Sequence, residues 1–189
     1  MQSVLIVTAT HKSEAYLREL LAEQNFEEIA AKRDCDSARR LLLSRDFDLC
    51  IINAPLEHEF GDTFAMQLVQ SRHMQVIIAV RWELFDQMSA KLDEVGIYTV
   101  PKPLDRALLQ GVLRLANIAF NRLSILQKEN IKLKQSIQDV KLIDRAKILL
   151  VEYLKMSEDQ AHKYIEKQAM DMRITRKAVA KNILKTYQG

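Results

Sequence analysis

Four side chains that can bind metal ions crowd one short stretch of the sequence. Glu57, His58, Glu59 and Asp62 offer carboxylate and imidazole ligands close together. Their spacing matches no standard metal site, so we interpret the stretch as a solvated loop. Elsewhere the sequence has no Ser-His-Asp or Cys-His constellation and no glycine-rich phosphate-binding loop. We therefore predict a protein that is not an enzyme and that uses no metal or other cofactor.

The isolated histidines and the cysteines fit a structural role. His11 and His73 have no partner of their kind nearby, and we interpret both as structural residues. Cys35 and Cys50 are predicted to be buried thiols, because two separate cysteines make neither a disulfide framework nor a metal knuckle. No apolar stretch approaches the ~20 residues of a membrane span, and the N-terminus lacks the basic region of a signal peptide. We expect a cytoplasmic protein that does not bind a membrane.

The net charge of +3 is unevenly distributed along the chain. Residues 1–121 contain 13 Lys and Arg against 17 Asp and Glu, whereas residues 145–189 contain 10 against 5. A basic tail on an acidic body points to a polyanionic partner such as RNA or DNA. A solvated helical surface explains the same pattern, and on charge alone we favour that simpler interpretation.

The first half of the chain alternates between short apolar runs and amphipathic segments. The predicted strands are 4–7, 26–31, 48–53 (DLCIIN), 76–80 (VIIAV) and 97–100. The predicted helices are 13–24, 37–44, a segment around 64–69, 83–94 and one that begins at 104. This alternation predicts an α/β fold, a flavodoxin-like doubly wound parallel sheet. The functional site of such a sheet lies at the carboxyl ends of the strands.

The pair Lys102-Pro103 follows the fifth predicted strand, after the runs VLIV, DLCIIN-A-P and VIIAV. Over roughly residues 1–120 these stretches resemble the receiver domain of bacterial response regulators. Receivers place a phosphate-binding lysine before a proline at this point, commonly joined by a cis peptide bond. The resemblance implies that residues 1–120 form a receiver-like domain. A surface lysine that caps a helix is the alternative role for Lys102.

The residues that a working receiver needs for phosphorylation are missing. Receivers bind Mg²⁺ through two acids after the first strand, where this sequence has Thr8 and Ala9. Receivers carry the phosphoryl group on an aspartate, where this sequence has Asn53. They sense the phosphoryl group with Ser or Thr, where this sequence has Val80. Of the residues that receivers use for phosphorylation, only Lys102 is retained. An amide cannot form an acyl phosphate, and without acids Mg²⁺ has little charge to bind. We predict a pseudo-receiver that is not phosphorylated by the usual route.

A heptad repeat of apolar residues follows the α/β segment. Ala116, Leu123, Asn130 and Ile137 occupy a positions, and Ala119, Leu126, Leu133 and Val140 occupy d positions. The repeat predicts a coiled coil over residues 116–144, in which Asn130 fixes the register of a parallel dimer. Packing of this helix on its own receiver or tail, and antiparallel pairing, remain alternatives. The predicted dimer contacts are Leu123, Leu126, Asn130, Leu133, Ile137 and Val140.

Residues 141–189 are predicted to form a small all-α domain of three helices. Ser157 and Gln160 fit a capping box at the start of the middle helix, and Thr175 can cap the last one. The spacing of Tyr164 favours a core position over base stacking. The predicted packing residues of this domain are Ala146, Ala161, Tyr164, Ile165, Ala169, Met170 and Met172.

The same tail contains IDRAK at 143–147, LL at 149–150, MSEDQAHKYIEKQAMDMR at 156–173 and VAKNIL at 179–184. These stretches resemble the ANTAR domain of transcription antiterminators. Ser157, Glu158 and Ala161, and the QAM triplet at 168–170, sit at the expected distances. Ile148 departs from the pattern, because many members have glycine there.

The ANTAR resemblance implies an RNA-binding regulator that binds paired hairpins in nascent mRNA as a homodimer and prevents a terminator hairpin from forming. For a member without a phosphoacceptor, it also implies control by a ligand-sensing partner protein. Stems offer phosphates to basic residues, and loops expose bases for stacking. We place Lys147, Arg173 and Arg176 first among the RNA contacts. The full set of candidates is Arg145, Lys147, Lys163, Lys167, Arg173, Arg176, Lys177 and Lys181.

Two other functions remain open from the sequence. A DNA-binding response regulator would place the basic helix at 174–185 in a groove of the duplex, although no helix-turn-helix glycine is visible. A dimerisation or scaffold protein would use the coiled coil itself as its functional element.

Overall fold

The computed structural model describes residues 1–71 and 74–188. His73, interpreted above as structural, lies outside the described residues. The chain divides into two compact units, Met1–Ser124 and Ile125–Gly189. Across the described ranges, none of the helices combines the length and the apolar character that a transmembrane span requires.

The first unit alternates strands and helices as predicted. Its strands are β1 (Ser3–Thr8), β2 (Glu28–Lys32), β3 (Leu49–Asn53), β4 (Gln75–Arg81) and β5 (Tyr98–Lys102). Its helices are α1 (His11–Leu21), α2 (Cys35–Leu42), α3 (Asp62–Ser71), α4 (Phe85–Leu92) and the first part of α5 (Arg106–Leu154). All strand pairings are parallel, in the order β2-β1-β3-β4-β5. The predicted doubly wound parallel sheet is confirmed.

Both faces of the sheet are covered by helices, which explains why its central strands are apolar without interruption. Alternate residues of a strand point to opposite faces. Leu5 and Val7 of β1 therefore pack with residues of α2, α3 and α4, whereas Val4 and Ile6 pack with residues of α1 and α5. All four side chains are fully buried.

The segment predicted as one helix over 83–94 is divided in the structure. A 3₁₀ turn covers Trp82–Leu84, α4 follows, and a second 3₁₀ turn covers Asp93–Val95. Gly96 ends this segment at φ +82°, a left-handed conformation that favours glycine. At α1, Thr10 caps the helix and His11 is exposed, with its ring against Arg33.

The second unit contains three helical segments. These are the continuation of α5 to Leu154, α6 (Glu158–Met172) and α7 (Arg176–Gln188). The predicted capping box is present at α6: Ser157 Oγ accepts a hydrogen bond from Gln160 N at 3.2 Å, and Gln160 Oε1 accepts from Ser157 N at 2.8 Å. The core of the unit consists of Ala146, Leu149, Leu150, Ala161, Ile165, Ala169, Val179, Ala180 and Ile183.

Three residues predicted to pack in this core lie elsewhere. Met170 is 78% exposed and Met172 is 56% exposed, so the packing prediction is wrong for both. Met170 follows Ala169 by one position, which turns its side chain by about 100° away from the core face. Tyr164 is 36% exposed and sits at the edge of the core instead of inside it.

Candidate functional sites

The strand ends of the first unit bring Thr8 and Asn53 together. They are register partners at the ends of β1 and β3. Asn53 Nδ2 donates a hydrogen bond to Thr8 Oγ1 at 3.0 Å, and Thr8 is only 2% exposed. A hydrogen bond between two neutral side chains therefore stands where a working receiver would have carboxylates facing a cation.

Lys102 ends β5 at the same edge of the sheet. Its ammonium group donates a hydrogen bond to the backbone oxygen of Ala54, and the Lys102–Pro103 peptide bond is cis. Burial lowers the pKa of the Lys102 ammonium, and the positive charge of Arg81 lowers it further. Arg81 is the register partner of Lys102 on β4. Lys102 is thus half-buried and bound to a loop carbonyl, which differs from a solvated surface lysine.

The remaining positions of the degenerate site provide no reactive group. Val80 is fully buried in the apolar cluster beneath α4, and Ala9 is only partly exposed. Neither side chain can bind a cation or hydrogen-bond to a phosphoryl group. Thr8, Ala9, Asn53 and Val80 thus contain no carboxylate that could form an acyl phosphate or serve as an anionic ligand for Mg²⁺.

The acidic stretch after β3 is used for ion pairs. Glu59 Oε1 accepts a hydrogen bond from Arg39 Nη1 at 3.0 Å, and Asp62 Oδ2 accepts one from Lys91 at 2.6 Å. Within the part of the chain that the structure describes, no group of three or more His, Cys, Asp or Glu residues is placed to hold a metal ion. The role of Arg39, whose guanidinium also lies 5.0 Å from the ring centroid of Phe64, was not predicted from the sequence.

Three of the predicted RNA contacts are engaged within the second unit. Lys147 Nζ lies 2.8 Å from Asp144 Oδ1 and 3.2 Å from Glu158 Oε1, and these hydrogen bonds raise the pKa of Lys147. The other two pairs join Arg176 to Glu166 at 3.2 Å and Lys177 to Asp139 at 2.6 Å. Two of the three residues placed first from the sequence, Lys147 and Arg176, are therefore partly neutralised.

The other five candidate RNA contacts have positive charges that no acidic side chain of the described residues neutralises. Each is exposed, and none forms an ion pair with an acidic side chain anywhere in residues 1–71 or 74–188. Lys185 shares these properties and was missed by the sequence analysis, although it lies one helical turn after Lys181. The five candidates with free charge are Arg145, Lys163, Lys167, Arg173 and Lys181.

The predicted coiled-coil residues lie on the surface of α5. Leu133 is 63% exposed, Asn130 is exposed, and the remaining predicted dimer contacts are each more than half exposed. Single apolar residues at a protein surface are ordinary, but a continuous row along one helix face marks an interaction surface. We call this row the heptad seam: Leu123, Leu126, Asn130, Leu133, Ile137 and Val140.

Comparison with known proteins bears directly on the second unit. Residues 132–184 match the ANTAR domain. The resemblance predicted from the tail is thereby confirmed, and the match covers all of α6, most of α7 and the last part of α5. The chain is also similar to the transcriptional regulatory protein PdtaR of Mycobacterium tuberculosis, at 28% identity over 170 residues. That alignment covers 90% of this chain and 83% of PdtaR.

Solved structures confirm the receiver fold of the first unit. The receiver domain of a response regulator from Methylobacillus flagellatus is similar with a TM-score of 0.54 and 19% identity, over 61% of this chain and 98% of that one. A receiver domain from Clostridium thermocellum gives a TM-score of 0.57 and 18% identity, over 67% of this chain and 99% of that one. These similarities concern the fold alone.

Proposed function

We propose that this protein is a non-enzymatic transcription regulator of the antitermination type, which binds hairpins of nascent mRNA through its ANTAR domain. The ANTAR match over residues 132–184 and the similarity to PdtaR support a regulator of transcription. Such a protein acts in the cytoplasm, where transcripts are made. We retain three domains as proposals: the pseudo-receiver at 1–120, the coiled coil at 116–144 and the ANTAR domain at 141–189.

One observation carries the RNA-binding proposal. Lys163, Lys167 and Lys181 extend from α6 and α7 into solvent without acidic partners among the described residues. Cations that are already paired must break an ion pair to bind a phosphate, whereas free cations release only solvent and counterions. We therefore expect these lysines, with Arg145 and Arg173, to contribute more to RNA affinity than Lys147, Arg176 or Lys177.

We propose a homodimer that forms through the heptad seam. Its apolar side chains are exposed, so a second copy of the same helix would bury them. Asn130 is the polar residue at an a position that would pair with its counterpart across the dimer axis. Two copies would present two ANTAR domains, as binding to a pair of hairpins requires.

The input to the regulator is proposed to be a partner protein that senses a ligand. The hydrogen bond between Asn53 and Thr8 replaces the carboxylates on which phosphorylation depends. A receiver without that chemistry can still bind a partner through its surface, and such binding could hold the ANTAR domain away from RNA.

Fluorescence anisotropy with a labelled hairpin RNA pool tests the proposal. The full chain should bind the pool more tightly than duplex DNA, and affinity should fall steeply with salt. Replacing Lys163, Lys167 and Lys181 by Ala should make the negative slope of log K against log salt shallower by about two to three. The matched control replaces Lys128, Lys132 and Lys134 of α5 by Ala, which removes the same charge outside α6 and α7.

The outcomes separate the three candidate functions. Equal binding to duplex DNA and hairpins would favour a DNA-binding regulator. Dimerisation without binding to either nucleic acid would favour a scaffold. If the control triple variant loses as much affinity as the variant in α6 and α7, then total charge determines affinity and the proposed surface does not.

A further inference from the structure

A cavity of about 660 Å³ lies in the first unit, where the amino ends of β1 and β2 meet the first part of α5. Its volume falls in the range of roughly 300–1,000 Å³ that is typical of pockets for small molecules. Asn53 and Lys102 end their strands, so the degenerate phosphorylation site lies at the opposite edge of the sheet. The cavity is therefore separate from that site.

One part of the cavity is apolar. Leu113 of α5 lines it and is only 4% exposed, as a member of the core cluster between the sheet, α1 and α5. Phe26, in the connection between α1 and β2, also lines it and packs against the same cluster. Because the core holds both side chains, the apolar part of the cavity is already formed without a ligand.

A glycine widens the cavity on the side of α5. Gly111 lies in the interior of this helix, where only proline is less favourable than glycine. Its backbone is not left-handed, and a Cβ built on it would have no neighbouring atom within 4 Å. Neither a turn nor a close approach of another element thus requires a glycine here. Gly111 lines the cavity, so the missing side chain leaves this volume open.

The polar part of the cavity carries an unpaired positive charge. Arg114 lines the cavity, is exposed, and forms no ion pair with any residue in 1–71 or 74–188. Arg106, about two helical turns earlier, differs because it pairs with Glu23. A guanidinium group presents N–H donors in a planar fork that fits the two oxygens of a carboxylate.

Two amides of α5 lie on the same helix face as Arg114. Gln110 precedes it by four positions and Asn117 follows it by three, and both line the cavity. Asn117 Oδ1 accepts a hydrogen bond from the backbone nitrogen of Met1 at 3.0 Å, which leaves Nδ2 as a donor for a ligand. The polar part is therefore rich in hydrogen-bond donors.

We propose that this cavity binds a small organic acid, in which a carboxylate is attached to an apolar body about as large as a phenyl ring. Arg114 would pair with the carboxylate, and the amides of Gln110 and Asn117 would donate further hydrogen bonds to it. Phe26 and Leu113 would pack against the apolar body. The proposal does not depend on the RNA-binding function, and it adds a ligand site on the regulator itself to the control by a partner protein.

NMR titration of the full wild-type chain with 3-phenylpropanoate tests this proposal. Saturable shifts of backbone amides should be concentrated at Gln24, Phe26 and residues 107–117. The neutral analogue 3-phenylpropanamide should bind about tenfold more weakly, because it cannot form the charge-assisted hydrogen bonds to Arg114. Inorganic phosphate at the same concentration should not displace 3-phenylpropanoate, because phosphate has no apolar body.

Two variants separate the charge from the volume of the cavity. Arg114→Gln should weaken binding of 3-phenylpropanoate by about tenfold. Arg122→Gln is the matched control, since it removes another exposed arginine of α5 that has no ion pair among the described residues, and it should bind as the wild type does. Gly111→Leu should abolish binding by filling the cavity, while its Tm rises because leucine favours the helix. The higher Tm would show that the variant is folded.

Several results would overturn the proposal. These are the absence of saturable shifts in the wild type, shifts centred on Asn53 and Lys102, and equal affinity for the acid and the amide. Displacement by phosphate would indicate a general anion site instead. Undiminished binding by Gly111→Leu would place the ligand outside this cavity.

Discussion

The side-chain amide of Asn53 donates a hydrogen bond of 3.0 Å to the hydroxyl of Thr8 where β1 and β3 end side by side. This bond joins two uncharged side chains, and Thr8 has almost no contact with solvent. The position that would accept a phosphoryl group in a working receiver is therefore occupied by a neutral pair that needs no cation for stability.

We expect the protein to resist phosphorylation by small donors. After incubation with acetyl phosphate and Mg²⁺, mass spectrometry should find no added phosphoryl group on the wild-type chain that hydroxylamine removes. Hydroxylamine cleaves acyl phosphates, so it identifies a phosphorylated carboxylate. Asn53→Asp should react far more slowly than a working receiver run in parallel, because Thr8 and Ala9 supply no carboxylate to bind Mg²⁺. A hydroxylamine-sensitive phosphoryl group on the wild-type protein would contradict the pseudo-receiver prediction.

The ion pair of Asp62 with Lys91 should make stability depend on pH. Burial raises the pKa of the Asp62 carboxyl, but hydrogen bonds from Lys91 and the backbone of Thr63 outweigh burial and hold the pKa below its ordinary value of 3.8. The stabilisation is therefore present above pH 3.8 and is lost as the pH falls through the lower folded-state value.

Asp62→Asn should accordingly lower the free energy of unfolding at pH 7 by about 0.5–1 kcal/mol, and the difference should shrink below about pH 4. Urea denaturation at several pH values measures it. Asp86→Asn in the first turn of α4, a residue without an ion pair among the described residues, is the control. A difference between wild type and Asp62→Asn that stays constant down to acid pH would argue against this linkage.

Arg173 ends α6 with φ at 53°, and Lys155 follows α5 with φ at 54°. Residues with a Cβ pay an energetic cost in this left-handed conformation, which glycine avoids. Arg173→Gly should raise stability by about 0.5–1 kcal/mol but reduce RNA affinity, because the free guanidinium is lost. Lys155→Gly should raise stability similarly and leave hairpin binding unchanged. Thermal unfolding measures stability, and fluorescence anisotropy measures RNA affinity. If Arg173→Gly binds RNA as tightly as the wild type, Arg173 does not contact the RNA.

Asn130 should determine how many copies associate through the heptad seam. Sedimentation equilibrium should find a dimer for the wild type, whereas Asn130→Ile should change the number of subunits or give a mixture. Gln135→Ile, which adds the same side chain on the opposite side of the helix, should leave the dimer intact. If wild type and Asn130→Ile are both monomers at every concentration, the dimer proposal is wrong.

Much of the fold was predictable because it follows from local pattern. VIIAV predicted β4 since a strand covered on both faces must be apolar throughout, and Ser157 with Gln160 predicted the start of α6 because a capping box involves residues three positions apart. The packing predicted for Met170 was wrong. Its position beside Ala169 already indicates a different helix face, and the structure leaves it 78% exposed.

The candidate RNA surface was harder to predict, because charge in the sequence does not say which cations are paired. Lys177 meets Asp139, and Arg176 meets Glu166, only after α7 packs into the second unit. Gln168 of α6 and Asn182 of α7 likewise line one cavity only because the two helices pack together. No spacing rule along a single helix brings these side chains together.

The two native thiols have a practical consequence. Cys35 and Cys50 are no more than 1% exposed, and burial raises the pKa of both thiols, so neither forms a reactive thiolate at neutral pH. A cysteine introduced on the surface would then be the only group that a maleimide dye modifies. The native cysteines therefore need not be removed before a protein is prepared for fluorescence labelling. The same holds for the variant Leu126→Cys, in which a crosslink between the introduced cysteines of two copies would report on the heptad seam.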